Sequence, residues 1–158
     1  MDLFIMRHGP AEDASHTGLD SDRALTPKGR ERVRLVAREL IRLGEVPTLL
    51  LTSPLVRARE TAEIVVQELS LAPYVEDKSL GMTGRAGALA EDLIKKRVSG
   101  RMLVGHEPEL SSLVAALTGH RVHMEKAMVV AVRIDGGRGR HALRFVLEPK
   151  TLHQKTFS

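Results

Sequence analysis

Two histidines and two arginines stand in places that suit chemistry: Arg7-His8-Gly9, Ser53-Pro54 with Arg57 shortly after, and Gly105-His106. Each group directly follows a short apolar run, Leu3 to Met6, Thr48 to Thr52 and Arg101 to Val104. Runs of this length bounded by turn residues read as buried strands. In open α/β sheets, ligands bind outside the carboxyl ends of the strands. Three strand ends therefore carry Arg7, His8, Arg57 and His106 toward one edge. No acid belongs to this set, which predicts an anion site. Tetrahedral phosphate suits it, because guanidinium groups offer planar forked donors. Helix starts at Pro54 and Pro108 would add oriented amides. Each residue alone has a plainer reading: a core or loop histidine, a solvated arginine, glycines that form turns. Those readings leave the shared strand-end position unexplained.

The elements that must position these groups can be traced along the chain. After the first strand, a Gly-, Asp- and Ser-rich segment runs from Arg7 to about Thr26. Loops of that length are usually functional or mobile. Thr26-Pro27 then predicts a helix start, with Val33, Val36, Ala37, Leu40 and Ile41 as its inward stripe and Gly44 as its end. Ser53-Pro54 repeats the cap-then-proline signal, opening a helix to about Leu69 with Leu55, Ala58, Ala62, Val65 and Leu69 inward. A short third strand is expected near Tyr74 to Glu76, a loop at Asp77 to Gly87 and a helix at about Ala88 to Val98. The fourth strand, Arg101 to Val104, leads through Gly105-His106-Glu107-Pro108 into a helix ending near Thr118. Ala127 to Ile134 reads as a fifth strand, Gly136-Gly137-Arg138-Gly139 as a turn, and Ala142 to Leu147 as an antiparallel sixth. Alternating strands and helices predict an α/β fold: a three-layer α/β/α single domain over residues 1–158 with a mostly parallel six-stranded sheet. Residues 149–158 are expected to form a flexible tail.

Composition narrows the function classes. One domain is expected from 158 residues. The longest clear apolar run, Ala127 to Val132, falls far short of the ~20 residues of a membrane span. The opening apolar stretch is too short for a signal peptide, so a cytoplasmic protein without a membrane partner is expected. There are no cysteines, which excludes thiol chemistry and cysteine-based zinc sites. His16, His120, His123, His141 and His153 lack the strand-end context, and His120 and His123 have no third ligand, so no metal is expected. The net charge of +4 arises wholly in 133–158, from Arg133, Arg138, Arg140, Arg144, Lys150 and Lys155 against Asp135 and Glu148. This reads as a solvated hairpin and tail, with contact to an acidic partner as the sharper alternative. With no Trp and one Tyr the chain lacks stacking platforms, so nucleic acid is not an expected partner.

Four ordered stretches resemble a known family: Arg7-His8-Gly9, Arg23-Ala24-Leu25-Thr26-Pro27-Lys28-Gly29, Ser53-Pro54-Leu55-Val56-Arg57-Ala58-Arg59-Glu60-Thr61-Ala62 and Val104-Gly105-His106-Glu107-Pro108. The set is similar to the histidine phosphatase superfamily, the phosphoglycerate-mutase-like group. Its shortness and motif order are most like the SixA-type phosphohistidine phosphatases. The resemblance implies that His8 is a nucleophile forming a covalent phosphohistidine. It also implies that Arg7, Arg57 and a protonated His106 hold the phosphoryl oxygens, with no cofactor. Relatives that cleave phosphoesters carry an acid after the third strand, where Glu76 and Asp77 fall too early. Glu12 and Asp13 are weaker candidates. A missing acid suits a good leaving group such as the imidazole of a phosphohistidine. Few residues remain for the lid insertions of larger relatives, so the expected partner is a phosphorylated protein, such as a phosphocarrier or phosphotransfer domain. The alternatives are a small phosphomonoesterase acting on a metabolite or phosphopeptide, and a phosphate-binding module without catalysis.

Overall fold

The computed structural model describes residues 1–136 and 139–157. The expected turn at 136–139 includes Gly137 and Arg138, which lie outside the described residues, as does Ser158 of the expected domain. In chain order the elements are β1 (Asp2–Arg7), α1 (Pro27–Leu43), β2 (Leu49–Thr52), α2 (Val56–Leu69), β3 (Val75–Glu76), α3 (Ala86–Lys95), β4 (Arg101–Gly105), α4 (Glu109–Thr118), β5 (Val129–Arg133), β6 (Ala142–Leu147) and β7 (Gln154–Thr156). The strands form one sheet in the order β3-β2-β4-β1-β5-β6-β7. β1 lies at its centre with all four of Leu3, Phe4, Ile5 and Met6 buried, as a strand covered on both faces requires.

The alternation of β1 divides the core. Phe4 and Met6 pack with Leu50, Met102, Val104, Val129 and Phe145 beneath α1 and α2. Leu3 and Ile5 join Leu103, Val130 and Val132 on the opposite face, beneath α3 and α4. The fold is thus α/β/α in three layers, as expected. Two details differ. Among the described residues the sheet has seven strands, not six: Gln154–Thr156 pairs antiparallel with β6 where a flexible tail at 149–158 was expected. The reversal of direction also comes earlier, since β5 already runs antiparallel to β1, and β6 antiparallel to β5. The ladders β1–β4, β4–β2 and β2–β3 are parallel.

Helix starts and stops follow local chemistry. The Thr26 hydroxyl accepts from Gly29 N at 2.8 Å, Pro27 occupies the first turn, and Gly44 ends α1 at φ 70°. Val33, Val36, Ala37 and Leu40 are buried, whereas Ile41 is half-exposed. At 3.6 residues per turn Ile41 stands roughly 80° around the helix from Val33, at the margin of the stripe. Gly29 is required by proximity: a Cβ there would lie 2.1 Å from the Pro10 carbonyl oxygen. α2 begins two residues later than the Ser53-Pro54 signal predicts, with half-buried Leu55 before its first residue. Among the described residues no helix is long and apolar enough to cross a membrane.

Candidate active site

Strand register brings the predicted residues together. Arg7 pairs with Gly105 across the parallel β1–β4 ladder, so His8 and His106, each one residue further on, emerge side by side. Their ring centroids are 5.1 Å apart. Thr52 pairs with Val104, so Ser53 arrives beside them at the end of β2. The edge becomes a pocket of about 310 Å3 lined by Arg7, His8, Arg57 and His106. All four expected side chains line it. His8, Arg57 and His106 are nearly fully buried.

Each is fixed by its neighbours. His8 Nδ1 is 2.7 Å from the Gly9 carbonyl oxygen. A carbonyl only accepts, so Nδ1 carries the proton and Nε2 keeps its lone pair. The His8 backbone is held by His8 N donating to Gly105 O and by Ala127 N donating to the Arg7 and His8 carbonyls. A Cβ on Gly9 would meet Val33 Cγ2 at 2.6 Å, so glycine lets the loop settle on α1. α2 supplies three residues in one turn and a bit. Arg57 enters the pocket, the Glu60 carboxylate accepts from Leu25 N, and the Thr61 hydroxyl accepts from Gly9 N at 3.0 Å while donating to Arg57 O. Positions 57, 60 and 61 share one helix face. That face ties the first loop, the first strand end and the arginine together.

The guanidinium groups are only partly satisfied. Arg7 Nη1 donates to Met124 O at 2.9 Å. Arg57 Nη1 donates to Asp20 O and Nη2 to the Asp20 carboxylate at 3.2 Å. Among the described residues, Arg7 Nε, Arg57 Nε and His106 Nδ1 are buried without a hydrogen-bond partner. Unsatisfied buried donors are costly and call for an explanation. All three nitrogens belong to residues that line the one pocket.

Electrostatics follow from burial. Desolvation pushes His8 down to about 3, reinforced by His106, Arg57 and Arg7. It pushes His106 down to about 4, with Arg57 adding and Asp20 opposing. His106, expected to be protonated, is neutral near pH 7 at that value. Burial also lowers Arg7, against the attraction of Glu107.

The sequence reading missed three participants. Ser53 was taken for a helix cap, yet its hydroxyl lies 2.7 Å from His106 Nε2 and also accepts from Leu55 N. Two carboxylates, Asp20 and Glu107, line a pocket expected to have none. Asp20 is held by Arg23 and Arg57, and its hydrogen bond from Arg23 keeps its carboxyl below the usual range. Both Glu107 oxygens accept from Ser111, at the first turn of α4. Glu107 follows His106 directly and was the more findable; Asp20 sits in an irregular loop with only its three-residue spacing from Arg23 as a signal. The four proposed acids lie elsewhere. Glu12 and Asp13 are exposed, Glu76 faces Arg59, and Asp77 caps a short turn through Ser79 N. Arg144 of the basic segment is occupied by Glu45 and Asp2. His120 and His123 line a separate cavity of about 480 Å3. Among the described residues no group of three or more His, Cys, Asp or Glu side chains converges as a metal site would require.

Comparison with known proteins agrees with this geometry. Residues 3–81 match the sequence model of the histidine phosphatase superfamily (branch 1). The chain is 38% identical over 146 residues to an uncharacterised protein of Picosynechococcus sp., covering 87% of this chain and 88% of that one. It is 34% identical over 121 residues to the phosphohistidine phosphatase SixA of Escherichia coli, covering 74% of each. Its fold superposes on a structure of the protein histidine phosphatase SixA complexed with tungstate, with a TM-score of 0.84, 29% identity, and 97% and 100% of the two chains covered. Sequence and fold concur: this chain belongs to the histidine phosphatase superfamily.

Proposed function

We propose that the protein removes phosphoryl groups from phosphohistidine on other proteins, through a covalent phosphohistidine at His8. The observation that carries this reading is the set of three unpartnered buried nitrogens, Arg7 Nε, Arg57 Nε and His106 Nδ1, beside an imidazole whose Nε2 lone pair is free. A phosphate binder would need the donors but not the free nitrogen. His8 Nε2 attacks phosphorus in line, and the phosphorus–nitrogen bond of the substrate breaks with its electron pair going to the departing imidazole. That ring, protonated at its other nitrogen, leaves neutral. Water then attacks the phosphorus, the bond to His8 breaks, its electrons return to Nε2, and both water protons remain on the released phosphate. Holding His8 neutral is what burial accomplishes. Arg7 and Arg57 donate to the non-bridging oxygens as their charge develops. His106 takes up a proton as the phosphoryl dianion arrives, and Ser53 accepts from the Nε2–H so formed.

The substrate class follows from what the pocket lacks. Asp20 is held ionised by two arginines and is a poor proton donor. An alkoxide leaving group needs an acid, and an imidazole protonated at its far nitrogen does not. A second reading has its own support. Serine/threonine-protein phosphatases PGAM5 of Xenopus are 37% identical to this chain over 67 residues, 42% of its length, and Glu107 is a second carboxylate in the pocket. In that reading Glu107 protonates a serine or threonine alkoxide.

Rapid-quench samples with a labelled phosphohistidine substrate test the proposal. An acid-labile, base-stable phosphoenzyme is expected, and none in His8→Ala. A pure binder shows no labelled protein. Turnover of phosphohistidine peptide, phosphoserine peptide and a small aryl phosphate decides between the substrates, and a wide margin for phosphoserine overturns the first reading.

A further inference from the structure

Among the large apolar residues that stand out of the surface, the two most exposed are Leu19, 60% exposed and next in the chain to Asp20 of the pocket wall, and Met82, 52% exposed, which lines the pocket. Met82 Sδ is 3.8 Å from Arg57 Nη2, and that same nitrogen donates to Asp20, the residue after Leu19. Neither is a loose loop tip. Leu19 N donates to Thr17 Oγ1, and Leu19 O accepts from Ser15 Oγ and Asp22 N. Met82 sits on a loop pinned by buried Leu80, by Thr83 donating to Ser79 O, and by Gly84 N donating to Glu109. Its backbone has φ 64°, a conformation that costs any residue but glycine. Beyond the Met82 contact with Arg57, both side chains leave most of their apolar surface in solvent.

We propose that Leu19 and Met82 are specificity-determining residues that grip the polypeptide around the phosphorylated histidine of a folded protein substrate. This rests on the phosphohistidine reading above. The pocket fixes where the phosphoryl group lies. A polypeptide carrying that group runs over the rim, where Met82 lines the pocket and Leu19 directly precedes Asp20 of its wall, so apolar residues flanking the phosphohistidine can meet them. A free phosphorylated metabolite would leave both in water.

The test uses the full chain and two probes: a helical phosphotransfer domain phosphorylated on its histidine with phosphoramidate, and free phosphohistidine. The wild type is expected to show the higher kcat/KM on the protein. Leu19→Ala and Met82→Ala are each expected to lower the protein-to-free ratio about tenfold, through KM more than kcat, because the shorter side chain buries less apolar surface against the substrate. Met82→Leu should restore most of it. Met82→Gly separates the roles: it relieves the backbone and should raise the melting temperature while lowering the same ratio. If the protein is hydrolysed but the ratio is unmoved in the alanine variants, or if the wild type favours free phosphohistidine, the gripping role is overturned and the phosphohistidine reading stands. If neither phosphohistidine probe is hydrolysed, the reading of function fails first and takes this inference with it.

Discussion

Replacing Ser53 with alanine probes the part of the site hidden deepest. The serine hydroxyl is buried, with two partners: His106 Nε2 at 2.7 Å and Leu55 N at 3.1 Å. The second bond is an ordinary neutral one, worth about 1 kcal/mol of stability. On the proposed function the first supports catalysis. When His106 becomes an imidazolium against the phosphoryl dianion, Nε2–H needs an acceptor, and hydrogen bonds to charged groups contribute about 1.5–3 kcal/mol. At about 1.36 kcal/mol per tenfold, Ser53→Ala should lower kcat/KM by roughly 10- to 150-fold. Steady-state hydrolysis of a small aryl phosphate, beside a thermal melt, reads both effects. Placing the same change in a His106→Ala background completes the cycle. The two losses should be far from additive, because without His106 the hydroxyl has nothing to support. Full additivity, or activity within about twofold of wild type in the single variant, refutes the argument and leaves Ser53 as a residue of the helix start.

Other perturbations give distinct signatures. Arg57→Ala should lower kcat by about 10²–10³-fold or more, because Arg57 Nε is one of the three unpartnered donors; normal turnover would remove Arg57 from the site. Stability should fall as pH drops. His8 and His106 have native values of about 3 and about 4 against 6.5 for the free side chain, so from pH 6.5 to about 4 the unfolded chain binds more protons than the native one. Each pH unit in that window should cost up to roughly 1.4 kcal/mol per histidine. Urea unfolding at pH 7 and pH 4.5 measures this, and His8→Gln should flatten the slope. Sulfate, a dianion throughout that range, should bind more tightly as pH falls, because bound anion raises His106 and binding takes up a proton; calorimetry in two buffers of different ionisation enthalpy reads that proton directly. Met82→Gly should stabilise the fold by about 1 kcal/mol, read as a rise in melting temperature.

What the sequence disclosed, and what it withheld, follows from the range of the interactions. β1 and β4 are buried on both faces, so their apolar runs are continuous and legible. Thr26-Pro27 and Gly44 are local signals, and α1 obeys them. The four site residues follow strand ends, and the strand-end rule needs no knowledge of which strands are neighbours. Ser53 was misread because the same serine-proline signal that opens a helix was serving a partner 53 residues away. Asp20 was missed for a like reason, since it meets Arg57 across 37 residues. β7 has three polar residues, mostly exposed, with no alternation to reveal them. The direction of β5 depends on how the loop after α4 returns over the strand ends, which composition does not encode.

The charges around the pocket offset one another in a particular pattern. Two guanidinium groups desolvated side by side would repel each other and destabilise the fold. Here each is relieved on one side only. Asp20 takes both terminal nitrogens of Arg57, while Arg7 has the Met124 carbonyl and the field of Glu107. Both Nε groups stay buried and unpartnered. The carboxylates therefore offset part of the positive charge in the pocket, and Asp20 fixes the orientation of the Arg57 guanidinium. Cancelling the positive charge completely would leave nothing to hold a phosphoryl dianion, and cancelling none would leave the strand ends too costly to bury. Asp20→Asn should shift that balance visibly. With the compensating charge gone and the amide still able to meet Arg57, inorganic phosphate and tungstate should bind more tightly, while the melting temperature falls. An unchanged phosphate inhibition constant with an unchanged melting temperature would mean that the carboxylate balances nothing.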